Sequence, residues 1–126
     1  MTNIKKYLHQ RLKSFSFAIK GMQALFKGEP NVKIHLFFAV ITLALAFFFD
    51  VEKLEWIILI ACITLVLAAE AFNTAIESLT DLSSPDYHLL AEKTKDIAAA
   101  AVLISAIGSA IIGFIIFVPY CINYFN

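Results

Sequence analysis

Residues 70–81 read EAFNTAIESLTD and directly follow an apolar run that is typical of a membrane-spanning helix. At about 100 degrees per helical residue, Glu70, Asn73, Glu77 and Asp81 project from one narrow face of a helix. We call these four residues the polar stripe. Ionisable groups at membrane depth are costly and usually face a bundle interior or a wet cavity, so the polar stripe is the first candidate for a functional site.

The composition is that of an integral membrane protein with a single domain. Of the 126 residues, 60% are hydrophobic and only 16% are charged. Soluble domains carry about 25% charged residues, so an ordinary soluble fold is excluded. The two cysteines, Cys62 and Cys121, lie in or beside apolar segments without a metal-ligand spacing, which is typical of packing residues.

Hydrophobic periodicity divides the chain into one surface helix and three spans. Residues 1–28 place apolar side chains at steps of three or four and lysines mostly elsewhere. This pattern predicts an amphipathic helix in the membrane interface, and a helix packed on a partner protein is the alternative. Helices that contain the spans are predicted over about 32–50, 54–82 and 95–119, and Pro119 is predicted to end the last one.

The distribution of charge predicts how the spans are oriented. Seven of the ten Lys and Arg residues precede residue 35, and the polar turn at 50–53 has one lysine against two acids. The N-terminus and residues 82–96 are therefore expected on the cytoplasmic side. Glu29, the polar stripe and the Lys95-Asp96 pair would then lie at one face of the membrane.

The polar stripe has the residue types of a metal-dependent phosphoryl-transfer site. Glu77 and Asp81 are four residues apart, where like charges repel, and protonation or a divalent cation relieves the repulsion. Magnesium takes one or two protein carboxylates and leaves its other positions to water and phosphates, so Glu77 with Glu29 could form such a site. Glu70 lies deepest in the apolar run, which makes it the natural general base toward a hydroxyl that stays in the membrane.

Two features of the third span have a functional and a simpler interpretation. Lys95 is a candidate phosphate contact, although Lys95 and Asp96 could equally be solvated charges at a helix start. Small residues recur every four positions within this span. They predict a closely packed helix interface, or else they are merely tolerated there. These small residues are Ala101, Ser105, Ser109 and Gly113.

The sequence lacks the familiar signatures of soluble kinases. Its four glycines never form the Gly-x-x-x-x-Gly-Lys loop of P-loop proteins. It also has neither the Asp-Phe-Gly nor the His-Arg-Asp motif of protein kinases. A nucleotide would therefore bind through a different architecture.

The core Glu-Ala-Phe-Asn-Thr-Ala-Ile-Glu over 70–77, with Asp81, Tyr87-His88 and Lys95-Asp96, resembles the bacterial diacylglycerol kinase and undecaprenol kinase family. The resemblance covers nearly the whole chain. It implies an all-α integral membrane protein with an N-terminal amphipathic surface helix and three transmembrane helices, forming one lipid-kinase domain over 1–126. It further implies a homotrimer with shared active sites in the bacterial inner membrane, with the N-terminus and the active site on the cytoplasmic side.

The activity implied by the resemblance is phosphorylation of a lipid hydroxyl by ATP with Mg²⁺. Undecaprenol is the preferred substrate and diacylglycerol the alternative, and nucleic acid is not expected as a partner. Glu70 resembles the catalytic base, Asn73 a residue that positions reactants, and Glu29 and Glu77 the metal ligands. The positions that match nucleotide contacts are Gln10, Arg11, Phe17, Asp86, Tyr87, His88, Lys95 and Asp96.

Three positions depart from the family pattern. Family members can carry Arg and Tyr where this chain has Gln10, with Arg11 beside it, and Phe17, so a hydroxyl contact at position 17 is impossible. His35 stands where diacylglycerol-type members can have an acid. Ser-Pro shortly before Tyr87-His88 is more similar to the undecaprenol-type branch.

The residues alone leave two other classes of function open. Buried carboxylates also serve as proton relays, so a proton- or cation-handling membrane subunit is one alternative. A structural trimeric membrane protein, in which hydrogen bonds satisfy the polar stripe, is the other.

Overall fold

Four helices joined by short connections make up the computed structural model, which describes residues 3–126. The helices are α1 (Asn3–Gly28), α2 (Pro30–Phe48), α3 (Lys53–Ser83) and α4 (Leu89–Phe125). Helices α2, α3 and α4 are each long and apolar enough to cross a membrane. The prediction of an all-helical protein with three candidate spans is confirmed.

Helix α1 leaves its apolar residues uncovered by the rest of the chain. Ile4, Leu12 and Phe15 are 71%, 71% and 68% exposed, and within residues 4–28 the first half-buried side chain is that of Leu25. Only Glu29 separates α1 from α2, which starts with Pro30. Proline suits the first position of a helix because the N–H that it lacks would have no helical partner there.

A tight turn between α2 and α3 fixes their antiparallel arrangement. Asp50 adopts φ 50°, a left-handed conformation that aspartate tolerates better than most residues. The N–H of Asp50 donates to the Phe47 carbonyl, and the N–H of Val51 donates to the Ala46 carbonyl. This pair of bonds ends α2 as a Schellman motif, and Val51 and Ala46 are both buried, as its hydrophobic contact requires.

The main hydrophobic core lies at this same end of the bundle, and we call it the distal cluster. Its buried members and the half-buried side chains packed on them are Ala46, Val51, Leu59 and Ile116 with Phe49, Trp56, Ile58, Ile112, Phe117 and Tyr120. The Tyr120 hydroxyl donates to Glu55 Oε2 at 2.6 Å, and the same oxygen accepts the Glu52 N–H at 2.9 Å. Glu55 therefore ties the start of α3 to the last turns of α4.

Helix α4 runs through Pro119, so the prediction that this proline ends the third helix is wrong. Proline removes one backbone hydrogen bond from a helix interior and often kinks it, but packing can compensate. The ring of Tyr124 lies 5.5 Å from that of Phe48 and 6.2 Å from that of Phe49. These contacts with the last residue of α2 and the residue after it, together with the Tyr120–Glu55 hydrogen bond, hold the last two turns of α4.

An apolar groove of about 600 Å³ runs between α2, α3 and α4. Ser109 Oγ donates to the Cys62 carbonyl at 3.4 Å, so one member of the small-residue series does join α4 to α3. Gly113 instead faces the groove, and a Cβ added there would meet no atom within 4 Å. Small residues on α4 therefore create open volume as well as helix packing.

We expect Tyr120→Phe to lower the melting temperature of the detergent-solubilised protein, because it leaves the Glu55 carboxylate without its donor from α4. Tyr124→Phe is the matched control, since the Tyr124 side chain is 63% exposed and is engaged through its ring. Thermal unfolding followed by fluorescence of the single tryptophan, Trp56, measures both variants. Equal melting temperatures for the two variants would show that the hydrogen bond does not hold α4.

Candidate active site

The antiparallel spans bring the start of α2, the end of α3 and the start of α4 to the end of the bundle opposite the distal cluster. Two side-chain pairs show this directly. His35 on α2 pairs with Glu70 on α3, and Lys95 on α4 pairs with Asp81 on α3. Glu29 immediately precedes α2, so most of the charged candidate residues of the three spans lie at this end.

The polar stripe changes from buried to exposed along α3. Glu70 is 3% exposed and Asn73 8%, Glu77 is half-buried, and the Asp81 side chain is 65% exposed. The stripe extends over about 16 Å at the rise of an α-helix. One helix face thus leads from an apolar interior to a polar surface.

Glu70 is the deepest charged group of the site, and it has a partner on another helix. Its Oε1 lies 3.1 Å from Nε2 of His35, which is 22% exposed. A buried carboxylate without a hydrogen bond is strongly destabilising, so this contact explains how Glu70 can remain inside the bundle. His35 also lines the apolar groove, which places the pair at one end of that groove.

Asn73 and Glu77 form a second unit one turn further along α3. Asn73 Nδ2 donates to Glu77 Oε1 at 3.0 Å. Within residues 3–126, buried Asn73 Oδ1 and Thr74 Oγ1 have no hydrogen-bond partner. Such groups are rare in native structures, because each costs desolvation free energy. They mark a place where a ligand or another chain can supply the missing partner.

The oxygen atoms of this unit fit a hard cation. A Glu77 carboxylate beside an unpaired amide oxygen is the kind of donor set that Mg²⁺ accepts, when water and phosphate oxygens complete the coordination. Glu29, the other predicted ligand, is half-buried at the N-cap of α2 and makes no side-chain capping bond. Among the described residues, no three His, Cys, Asp or Glu side chains converge as a metal centre.

Lys95 Nζ forms an ion pair with Asp81 Oδ1. Asp81 therefore has a contact, on another helix, that the sequence alone did not predict. The Lys95 side chain is 37% exposed and that of Asp81 65%. Exposed pairs of this kind stabilise a protein by about 0 to 1 kcal/mol. Asp81 therefore orients Lys95 without adding much to the stability of the fold.

The segment before α4 carries three of the predicted nucleotide contacts, and all are exposed. His88 caps α4, because its Nδ1 accepts the Leu90 N–H at 3.1 Å, which explains why the helix starts before the predicted residue 95. The Tyr87 hydroxyl donates to the Glu92 carboxylate at 2.8 Å, and this bond raises the pKa of Tyr87 above its usual value. The Asp86 carbonyl accepts a bond from Ser84 Oγ at 3.2 Å.

The remaining predicted contacts are exposed as well. Asp96 lies on α4, one residue beyond Lys95. Gln10, Arg11 and Phe17 line one shallow pocket on α1. Lys13 and Lys20 place their ammonium groups 5.9 and 6.0 Å from the Phe17 ring centre, so position 17 contributes an aromatic surface between two cations.

The sequence pattern predicts no partner for Glu70 and no role for the Thr74 hydroxyl. His35 stands out in the sequence only as a departure from the family pattern. A usable signal was present, because a histidine inside an apolar span needs a polar partner, and antiparallel spans place the start of one beside the end of the next. The hydroxyl of Thr74 gave no comparable signal, since most threonines in helices bond to their own backbone.

Comparison with known proteins identifies the family. A family model described as prokaryotic diacylglycerol kinase matches residues 16–117. The chain belongs to this family. The matched segment includes Glu29, the polar stripe and Lys95, but it begins after Gln10 and Arg11.

The relatives of this chain are named after two different lipid substrates. The undecaprenol kinase of Bacillus subtilis is 37% identical over 112 residues, which cover 89% of this chain and 91% of the relative. A diacylglycerol kinase of Synechocystis is 37% identical over 86% of this chain and 62% of the relative. The diacylglycerol kinase of Escherichia coli K12 is 30% identical over 79% of this chain and 82% of the relative. This family member is therefore a lipid kinase and a bacterial membrane protein.

We expect Thr74→Val to leave the melting temperature unchanged or to raise it, because the lost hydroxyl is buried without a partner in the described chain. Thr80→Val is the matched control, since its hydroxyl donates to the Ile76 carbonyl at 2.7 Å. A clear drop in the melting temperature of Thr74→Val would show instead that the hydroxyl meets a partner outside this chain.

Proposed function

We propose that this lipid kinase transfers the terminal phosphate of ATP, with Mg²⁺, to the hydroxyl of a membrane lipid, and that undecaprenol is its preferred substrate. The observation that carries the proposal is the position of Glu70. Its carboxylate is buried, pairs with a residue lining an apolar groove, and begins a stripe that leads to exposed charged residues. A lipid hydroxyl and a soluble nucleotide can meet along such a path.

Glu70 acts as the general base in this proposal. Its ionised carboxylate accepts the proton of the lipid hydroxyl while the hydroxyl oxygen bonds to the γ-phosphorus of ATP. The bond from that phosphorus to the bridging oxygen breaks, and ADP leaves with the electron pair. Burial favours this role, because water is excluded from the place where the proton moves.

The more exposed half of the site binds the phosphates and the nucleotide. Glu29 and Glu77 are the proposed metal ligands, and Mg²⁺ bound there would neutralise charge on the phosphate oxygens. Asn73 orients the reactants through the amide that already holds Glu77. Lys95 contacts phosphate. The other proposed nucleotide contacts are Gln10, Arg11, Phe17, Asp86, Tyr87, His88 and Asp96.

Support for undecaprenol comes from coverage and from local sequence. The Bacillus subtilis undecaprenol kinase matches over 91% of its own length, against 62% for the equally identical Synechocystis diacylglycerol kinase. Ser-Pro before Tyr87-His88 is also similar to the undecaprenol-type branch. Diacylglycerol remains the alternative substrate, since relatives with that name share 30 to 37% identity.

The same proposal includes the placement and assembly of the chain. Helix α1 lies in the membrane interface, which would cover the apolar side chains that the single chain leaves exposed. The excess of positive charge before residue 35 supports a cytoplasmic N-terminus and active site. A homotrimer with shared sites, each chain forming one domain over 1–126, would supply a partner for Asn73 Oδ1 and further ligands for the proposed metal site.

A proton- or cation-handling membrane subunit is the second candidate. The buried contact between His35 and Glu70 favours it, because paired ionisable groups inside spans also form proton relays. The two candidates differ in one product. Only the kinase yields a phosphorylated lipid from labelled ATP.

We expect purified protein to phosphorylate undecaprenol faster than diacylglycerol, with ATP and Mg²⁺ both required. Glu70→Gln should lower kcat by about 10²- to 10⁴-fold, the usual contribution of a positioned general base. Glu77→Gln should shift the Mg²⁺ dependence to higher concentration while the oligomer persists. Glu52→Gln, an exposed glutamate at the opposite end of α3, is the matched control. No lipid product with either substrate would overturn the proposed function, and an active Glu70→Gln variant would overturn the assignment of the base.

We expect Asp81→Asn to raise KM for ATP detectably, by up to about fivefold, because an exposed ion pair contributes up to about 1 kcal/mol. Lys95→Met should have a larger effect, since it removes the phosphate contact itself. Asp50→Asn, the same change at the opposite end of the bundle, is the control, and asparagine tolerates the left-handed conformation at that position. Equal KM values for Asp81→Asn and the wild type would show that Asp81 does not orient Lys95.

A further inference from the structure

We propose that His35 is a positioning residue for phosphoryl transfer, holding the Glu70 carboxylate through a hydrogen bond from its Nε2–H. The inference rests on the proposed function, in which Glu70 accepts the proton of the lipid hydroxyl. It assigns a role to a residue of α2 that the family resemblance left without one.

The distance between the two side chains is short enough for a direct hydrogen bond between the two helices. His35 Nε2 and Glu70 Oε1 are 3.1 Å apart, within the range of an N–H donor and a carboxylate acceptor. Glu70 is 3% exposed, so water cannot replace this donor freely. Asn73, the next residue of the stripe, donates its amide to Glu77 and not to Glu70. Within residues 3–126, His35 is therefore the side-chain partner of Glu70.

The backbone that carries His35 is well anchored. Val32, three residues before it, is fully buried, and Ala39, four residues after it, is 9% exposed. Residues at these spacings share one helix face, so the imidazole lies between two packed contacts of α2. Histidine has two side-chain torsions and glutamate has three, so the more restricted side chain fixes the freer one.

His35 also lies next to the apolar groove. It is one of the groove-lining residues, together with Ile34 and Phe38 on the same helix. An imidazole that borders the groove and bonds to Glu70 sets the direction from which a hydroxyl can reach the carboxylate. Misplacing reacting groups by about 1 Å can lower a rate by about 100-fold, so loss of this bond should reduce turnover.

A purely structural role predicts a different result. If His35 only satisfied a buried carboxylate, its loss would lower stability and leave the chemistry per folded molecule unchanged. A measurement of kcat on folded protein therefore distinguishes the two roles. Substitution by glutamine distinguishes them as well, because its amide N–H can reach the position of Nε2–H and restore kcat, whereas that of the shorter asparagine cannot.

The experiment compares His35→Asn and His35→Gln in the full-length protein, reconstituted with undecaprenol, ATP and Mg²⁺. We expect His35→Asn to lower kcat about tenfold or more, but by no more than the 10²- to 10⁴-fold that a positioned base contributes, with KM for ATP unchanged. His35→Gln should recover most of that loss. His9→Asn, the same change at an exposed histidine of α1, is the matched control. Melting temperature, followed by Trp56 fluorescence, reports folding for each variant.

A double-mutant cycle with Glu70→Gln tests whether His35 acts through Glu70. We expect the double variant His35→Asn/Glu70→Gln to be no slower than Glu70→Gln alone. Multiplicative losses would overturn the inference, and so would a lowered melting temperature of His35→Asn with unchanged kcat. In both cases the proposed kinase function would stand, because the wild type still forms phosphorylated lipid. A wild type without lipid product would overturn the proposed function and this inference together.

Discussion

The structure depends on keeping one carboxylate inside an apolar helix bundle. An isolated ionised group in such a place carries a desolvation cost of several kcal/mol, and only a partner of suitable chemistry offsets it. Glu70 has that partner on α2, which runs antiparallel to α3 with its first turns beside the middle of α3. The left-handed Asp50 and the short turn around it produce this arrangement.

Helix α3 then separates two environments along its length. Its first half packs in the distal cluster and along the groove, where apolar side chains dominate. Its second half carries the polar stripe, whose exposure rises from Glu70 to Asp81. A membrane enzyme that transfers phosphate from a soluble donor to a lipid needs an apolar and a polar environment side by side. The continuous helix α3 provides both without a hinge.

Local patterns explain what could be predicted from the sequence. Periodicity and apolar length are properties of single segments, so the four helices and the polar stripe could be predicted from the sequence. The contacts between helices were not, because the partners of Glu70 and Asp81 depend on how α2, α3 and α4 are aligned lengthwise. The prediction for Pro119 failed for a related reason, since aromatic contacts distant in sequence hold the helix beyond it. Gly113 faces open volume within the single chain, so the helix interface that its spacing predicts stays a prediction about contacts between chains.

The hydrogen bond between Tyr120 and Glu55 restricts the tilt of α3, and the tilt of α3 determines where Glu70 lies. Lys53, where α3 begins, lies about 26 Å along the helix axis from Glu70. Catalytic groups must be held to within about 0.5 Å, which at that lever arm corresponds to a tilt of about 1 degree. The distal cluster and its Tyr120–Glu55 bond therefore hold the first turn of α3, and their stiffness limits how far the Glu70 carboxylate, near the middle of this helix, can be displaced.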